Sequence, residues 1–140
     1  MIATTGAVRS VAEGPLVVQR WAPKRFDIPC EGFDFTGQPL TMQVRAYPDA
    51  PGAALIDLAD TASPAEGLSV SVETVAGLTT STIQIRINET TIENLLPFDT
   101  NGTEPGQNVV LAYAIHVGSG SAKRRFIQGN FIIEPGANQA

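Results

Sequence analysis

The chain has 140 residues, of which 43% are hydrophobic and 16% charged, and its 14 acidic and 9 basic side chains leave a formal charge of −5. That length suits one domain around one core, and the composition is that of a folded chain rather than a disordered one. The negative balance, with no basic run, argues against binding to nucleic acid or an anionic membrane. A single cysteine, Cys30, excludes an intramolecular disulfide and fits a reducing compartment, where the expected role is a small buried apolar residue. No apolar stretch has the length of a signal-peptide core or a membrane span, so the expectation is a protein made and folded in a cytoplasm.

Residues 1–14 mix small and polar types without a period and read as an arm that a neighbouring subunit would order. A sandwich domain is expected over 15–136, with a tail at 137–140. Residues 16–21 follow Gly14-Pro15 as a first strand, and 25–33 form a second that Pro29 confines to an edge or a bulge. In 40–47 the residues alternate, with Leu40, Met42, Val44 and Ala46 on one face and Thr41, Gln43, Arg45 and Tyr47 on the other. The Pro48-Asp49-Ala50-Pro51-Gly52 cluster then ends the strand.

Further strands are expected at 54–58 and 68–75, separated by a loop over 60–67. A flexible connection at 77–81 leads into 82–87, with Ile83, Ile85 and Ile87 inward and Gln84 and Arg86 outward. There the period changes: Asn88 can cap a helix, Glu89 suits its first turn, and Ile92, Leu95 and Leu96 share a face before Pro97. A short helix of about two turns here would carry the chain from one sheet to another. Residues 108–117 are almost wholly apolar and predict a central strand covered on both faces. Gly118 to Lys123 turns the chain into a last strand at 124–134, with Phe126 or Ile127, Phe131 and Ile133 toward the core. Seven or eight short strands with turns between them favour a sandwich over a closed barrel.

No residues assemble into a recognisable catalytic or metal-binding pattern in the sequence. His116, the single histidine, sits in the most apolar strand and is expected as a sheet-face residue rather than a base. One Cys and one His cannot hold zinc, and Asp57, Asp60 and Glu66 lack the spacing of a calcium loop, so no metal and no cofactor are expected. Gly118-Ser119-Gly120-Ser121 has the glycines of a phosphate loop without its Gly-Lys-Ser/Thr, and reads as a hairpin. The candidate interaction residues are Trp21, Arg25 and Tyr47, an aromatic and basic group suited to sugar or protein, and the basic cluster Lys123, Arg124 and Arg125, which reads either as a solvated hairpin turn or as a contact for phosphate or an acidic partner. For Trp21, packing over the edge of the core is the competing role.

The stretch Phe33-Asp34-Phe35-Thr36-Gly37, the strand Leu40-Thr41-Met42-Gln43-Val44-Arg45, Ala54-Leu55-Ile56-Asp57-Leu58, Thr82-Ile83-Gln84-Ile85-Arg86-Ile87 and Arg124-Arg125-Phe126-Ile127-Gln128-Gly129-Asn130-Phe131 together resemble tailed-bacteriophage virion proteins. The likeness, over about Asp27 to Gly136, is to the immunoglobulin-like domain at the N-terminus of phage baseplate upper proteins and some minor tail proteins. It implies an immunoglobulin-like β-sandwich with one short helix, no catalytic residues, and a place in the virion. The expected partners are other virion proteins in a homo-oligomer or symmetric assembly, as a tail or baseplate adaptor or a capsid decoration. Family members often continue into a stalk or receptor-binding region, and this chain stops after its last strand, which speaks against receptor binding. The alternative from the residues alone is a carbohydrate-binding module using Trp21 and Tyr47; a hydrolase with carboxylates meeting in space ranks below it.

Overall fold

The structure, a computed structural model, describes residues 12–62, 64–93, 106–118 and 120–136. Its strands are β1 (Ala12–Glu13), β2 (Leu16–Gln19), β3 (Lys24–Glu31), β4 (Leu40–Arg45), β5 (Ile56–Ala59), β6 (Gly67–Val75), β7 (Leu78–Ile87), β8 (Val109–Val117) and β9 (Arg124–Glu134), with helix α1 (Glu89–Glu93) after β7. The larger sheet runs β1-β9-β8-β4-β5, and β2 also pairs with β9; the smaller runs β3-β7-β6. Both β1 and β2 lie parallel to β9, and the other named pairs are antiparallel. With β3, β7 and β6 in the places of strands B, E and D, and β9, β8, β4 and β5 in those of G, F, C and C′, the order is that of an immunoglobulin domain. The protein is an all-β, immunoglobulin-like sandwich. The inter-sheet disulfide of antibody domains is missing: Cys30 on β3 is buried and free.

Alternation builds the core. Leu40, Met42 and Val44 from β4, Ile83 and Ile85 from β7, and Ile115 and Phe131 from β8 and β9 are fully or almost fully buried between the sheets. Phe33, Phe35 and Phe126 meet with ring centroids 5.0–5.7 Å apart, two of the three pairs edge to face. Buried Ser81 of β7 fixes this end: its hydroxyl donates to the Phe33 carbonyl at 2.7 Å and accepts from the Phe35 amide at 2.9 Å. Asp34 between them closes a side-chain turn, accepting from the Thr36 amide and hydroxyl at 3.0 and 2.6 Å. The stretch at 33–36 is thus a turn pinned to Ser81 of β7.

Several expectations need correction. The end of the supposed arm is bound by its own chain, since Ala12 and Glu13 pair with Ile127 and Gln128; the rest of the arm and the tail at 137–140 lie outside the described residues, as do Leu95, Leu96 and Pro97. Residues 78–81 of the expected connection are strand, because Val75 pairs with Leu78 across a two-residue turn in which Ala76 and Gly77 both take positive φ. Arg86 faces outward on β7 yet is buried, because the 60–66 loop folds over it and its guanidinium donates to the Ala65 and Thr61 carbonyls. Either Phe126 or Ile127 was expected inward. Both are, since the register between β8 and β9 slips beside Ile115 and His116 and leaves Phe126 as the extra residue of a bulge.

β8 is central, but its burial alternates: Leu111, Tyr113 and Ile115 are buried, while Val110, Ala112, Ala114 and His116 face outward with partial or full exposure. Among the described residues only one face of β8 is covered. The outer face of the larger sheet is open among the described residues.

Candidate functional site

On that open face, four strands lay their outward residues side by side. The register aligns Gln128, Ala114, Gln43 and Asp57 across β9, β8, β4 and β5, and aligns Arg125, His116 and Thr41 in a neighbouring row. At the usual strand spacing the row spans about 14 Å. Ala112 and Ala114 are too small to fill the middle, so the longer side chains on either side wall a cleft of about 740 Å³, a volume within the roughly 300–1,000 Å³ of small-ligand sites.

The two ends of the cleft differ in charge. His116, Lys123 and Arg125 lie at one end, and Asp49 and Asp57 on the other side, with Tyr47 exposed between Arg45 and Pro48. Lys123 and Arg125 enter no ion pair among the described residues. Burial holds His116 below the usual imidazole range, and the positive charges of Lys123 and Arg125 lower it further, so the neutral ring is favoured. Arg45 is already committed. Its guanidinium donates to the Ala50 and Gly52 carbonyls at 2.9 and 2.6 Å and to Gln43 Oε1 at 3.0 Å, which holds the turn carrying Tyr47 and Asp49.

A close backbone crossing ties the Gly14 segment to β9 and β8. Between β1 and β2 the chain passes over β9 at Gly14, whose amide donates to the Gln128 carbonyl at 3.2 Å and whose carbonyl accepts from the Tyr113 hydroxyl at 2.8 Å. A Cβ built on Gly129 would overlap the Gly14 carbonyl, so glycine is required there by space. Burial pushes the Tyr113 phenol up to about 12.

The structure separates the interaction residues proposed from sequence. Tyr47, Lys123 and Arg125 meet in the cleft, and Arg124, one residue along β9, is exposed outside it. Arg25 belongs to the smaller sheet, where it lies 3.7 Å from Asp27. Trp21 is half-buried in the β2–β3 connection at φ 71°, with the Arg20 guanidinium 4.7 Å from its ring centroid and its amide donating to Glu93 Oε2 at 2.6 Å. Its indole N–H is buried with no acceptor among the described residues. Trp21 therefore packs, and does not share a face of the cleft with Tyr47. Gln43, Asp57, Gln128 and Asn130 line the cleft although nothing in the sequence marks them as binding residues, and His116, expected only as a sheet-face residue, joins them. The signal was present in Ala112 and Ala114, small residues at alternate positions of an otherwise bulky strand.

Among the described residues no cluster of His, Cys, Asp and Glu could hold a metal ion, and no helix is long and apolar enough to cross a membrane. No protein-family model matches the chain, and no curated protein does. A solved structure from photo-crosslinking analyses of multimeric cell-adhesive interactions of VGSC beta subunits is similar at 9% identity and a TM-score of 0.36, over 97% of this chain and all of that one. A likeness at that level carries no functional inference, and the strand order above stands without it.

Proposed function

We propose that the chain is a non-enzymatic structural subunit of a tailed-phage particle, made in the host cytoplasm and carried in the virion. In this reading it is a tail or baseplate adaptor or a capsid decoration, present in several copies. The observation that carries the reading is the open outer face of the larger sheet, where Lys123 and Arg125 stand without partners among the described residues beside an alanine-floored cleft. In a chain of net charge −5, two such cations on one concave face suit an acidic segment of a neighbouring subunit. The immunoglobulin-like strand order and the resemblance of the 33–37, 40–45, 54–58, 82–87 and 124–131 segments to phage virion proteins support the same assignment. Modest contacts of this kind gain strength when repeated around a symmetric particle.

The test is incorporation. Charge reversal by Lys123→Glu with Arg125→Glu alters exposed residues only, so the variant folds, and its amount in purified particles is compared with wild type by mass spectrometry. Loss from the particles is the expected result, and incorporation at the wild-type ratio overturns the role given to the cleft.

A second reading, a carbohydrate-binding module, draws on the polar groups Gln43, Asp57 and Asn130 around exposed Tyr47. It loses Trp21, which lies elsewhere. Glycan-array binding abolished by Tyr47→Ala would favour it over the particle role.

A further inference from the structure

The smaller sheet has two edges, β3 and β6, and only one is guarded. On β3 the Gly32 amide donates to the Thr79 carbonyl at 2.7 Å, continuing the β3–β7 register. Because bonded and unbonded residues alternate in an antiparallel pair, the backbone groups of Arg25, Asp27, Pro29 and Glu31 point to the open side. That edge carries three charged side chains and a proline with no N–H to give, a combination that discourages strand addition. On the larger sheet β5 and β1 are short, with four and two residues.

β6 has no such protection. Its nine residues include no proline and no lysine, and a single charge, Glu73. The Leu68 carbonyl accepts from the Thr61 amide at 2.8 Å on the side away from β7, so Leu68, Val70, Val72 and Thr74 are the residues whose backbone groups face outward. Leu68 is occupied by that bond and by its bridge to Asp60, which leaves Val70, Val72 and Thr74 without backbone partners on that side among the described residues. Every residue from 71 to 78 is exposed, Val72, Val75 and Leu78 among them. The hairpin thus extends past the core with an open apolar edge.

We propose that β6 is a self-pairing edge, at which two copies of this chain join antiparallel about a two-fold axis through Val72 and merge their smaller sheets into one. The argument for a second copy is the strand's own sequence. In this register Val72 faces Val72 of the other copy, Val70 faces Thr74, Ser71 faces Glu73, and Ser69 faces Val75. Every free outward N–H and C=O then finds a partner, in about six inter-chain hydrogen bonds. The β-branched residues Val70, Val72 and Thr74 stack against one another, as suits cross-strand pairs, and each Glu73 meets a serine hydroxyl rather than a like charge. The interface is isologous, so it closes at a dimer.

The experiment is the solution mass of the full chain by sedimentation and light scattering across a concentration series. Val72→Pro removes only the outward N–H and copies what Pro29 does on β3, while Val72→Lys places a gatekeeper charge on the axis; circular dichroism reports whether each variant folds. The expected result is wild type at twice the 14.8 kDa chain mass, with both folded variants halved to the monomer. Should the proline variant misfold, the lysine variant decides alone. A wild-type chain that stays monomeric at its highest soluble concentration, or a dimer indifferent to Val72→Lys, overturns the proposal. Neither outcome bears on whether the protein is found in particles, so the two proposals fail separately.

Discussion

The Tyr113 hydroxyl donates to the Gly14 carbonyl at 2.8 Å, and Gly129 beside them has no side chain because that same carbonyl occupies the space. A tyrosine on the central strand thereby holds the chain crossing that starts the domain, and a glycine lets it approach.

Tyr113→Phe is therefore expected to lower stability by about 1 kcal/mol, the net contribution of one ordinary hydrogen bond. Gly129→Ala must displace the backbone at Gly14 and is expected to lose about 1–3 kcal/mol, in the range of overpacked sites. Urea melts of both variants check the order, which fails if Gly129→Ala is the milder change.

Alkaline pH should act through two buried acids. Burial pushes the Cys30 thiol up to about 11 from 9.0 and the Tyr113 phenol up to about 12 from 10.0. The unfolded chain ionises first in both cases, so their contribution to stability is complete below pH 9 and is lost as pH rises through 9–11 for Cys30 and 10–12 for Tyr113. Thermal melts between pH 8 and 11 should decline from about pH 9, and Cys30→Ala should remove the first part of that decline. A flat profile in the wild type contradicts the burial assigned to these groups.

His116 offers the opposite sign. Its folded-state affinity for a proton is depressed, first by burial and then by Lys123 and Arg125, so neutral His116 favours folding above the ordinary imidazole range and that contribution is lost as pH falls through it. In an NMR titration Lys123→Ala and Arg125→Ala should each raise the His116 pKa without restoring it fully, because burial remains the larger cause. An unchanged midpoint in the double variant would remove both cations from the neighbourhood of the ring.

Arg86 holds the β5–β6 loop through the Ala65 carbonyl at 2.6 Å and the Thr61 carbonyl at 2.5 Å while itself buried. Arg86→Met keeps much of the packing and leaves those acceptors unpaired, with an expected loss of about 1.5–3 kcal/mol. Hydrogen exchange should show the Thr61 amide, which donates to the Leu68 carbonyl, opening first. Wild-type protection at Thr61 in the variant contradicts the clamp.

The strands were legible because alternation reports one-sided burial, and the stretch from Leu40 to Arg45 reads the same in sequence and in space. Pro29 on an edge was legible for a similar local reason. What sequence could not convey was covering by distant segments. Arg86 looks solvated until the 60–66 loop folds over it, and residues 108–117 look doubly buried because alanine counts as apolar on either face. The cleft was hidden for the same reason: Lys123 and Arg125 come from one end of the chain and Tyr47 from its first third, and only the β4–β8–β9 register brings them together.

The most direct test of the central claim is quantitative mass spectrometry of intact particles purified from the protein's source. The structural-subunit account predicts this chain at a fixed, repeatable ratio to the major capsid or tail protein, a ratio that also distinguishes head decoration from tail. Its absence from washed particles, with the protein recovered only in the soluble fraction, would contradict the account.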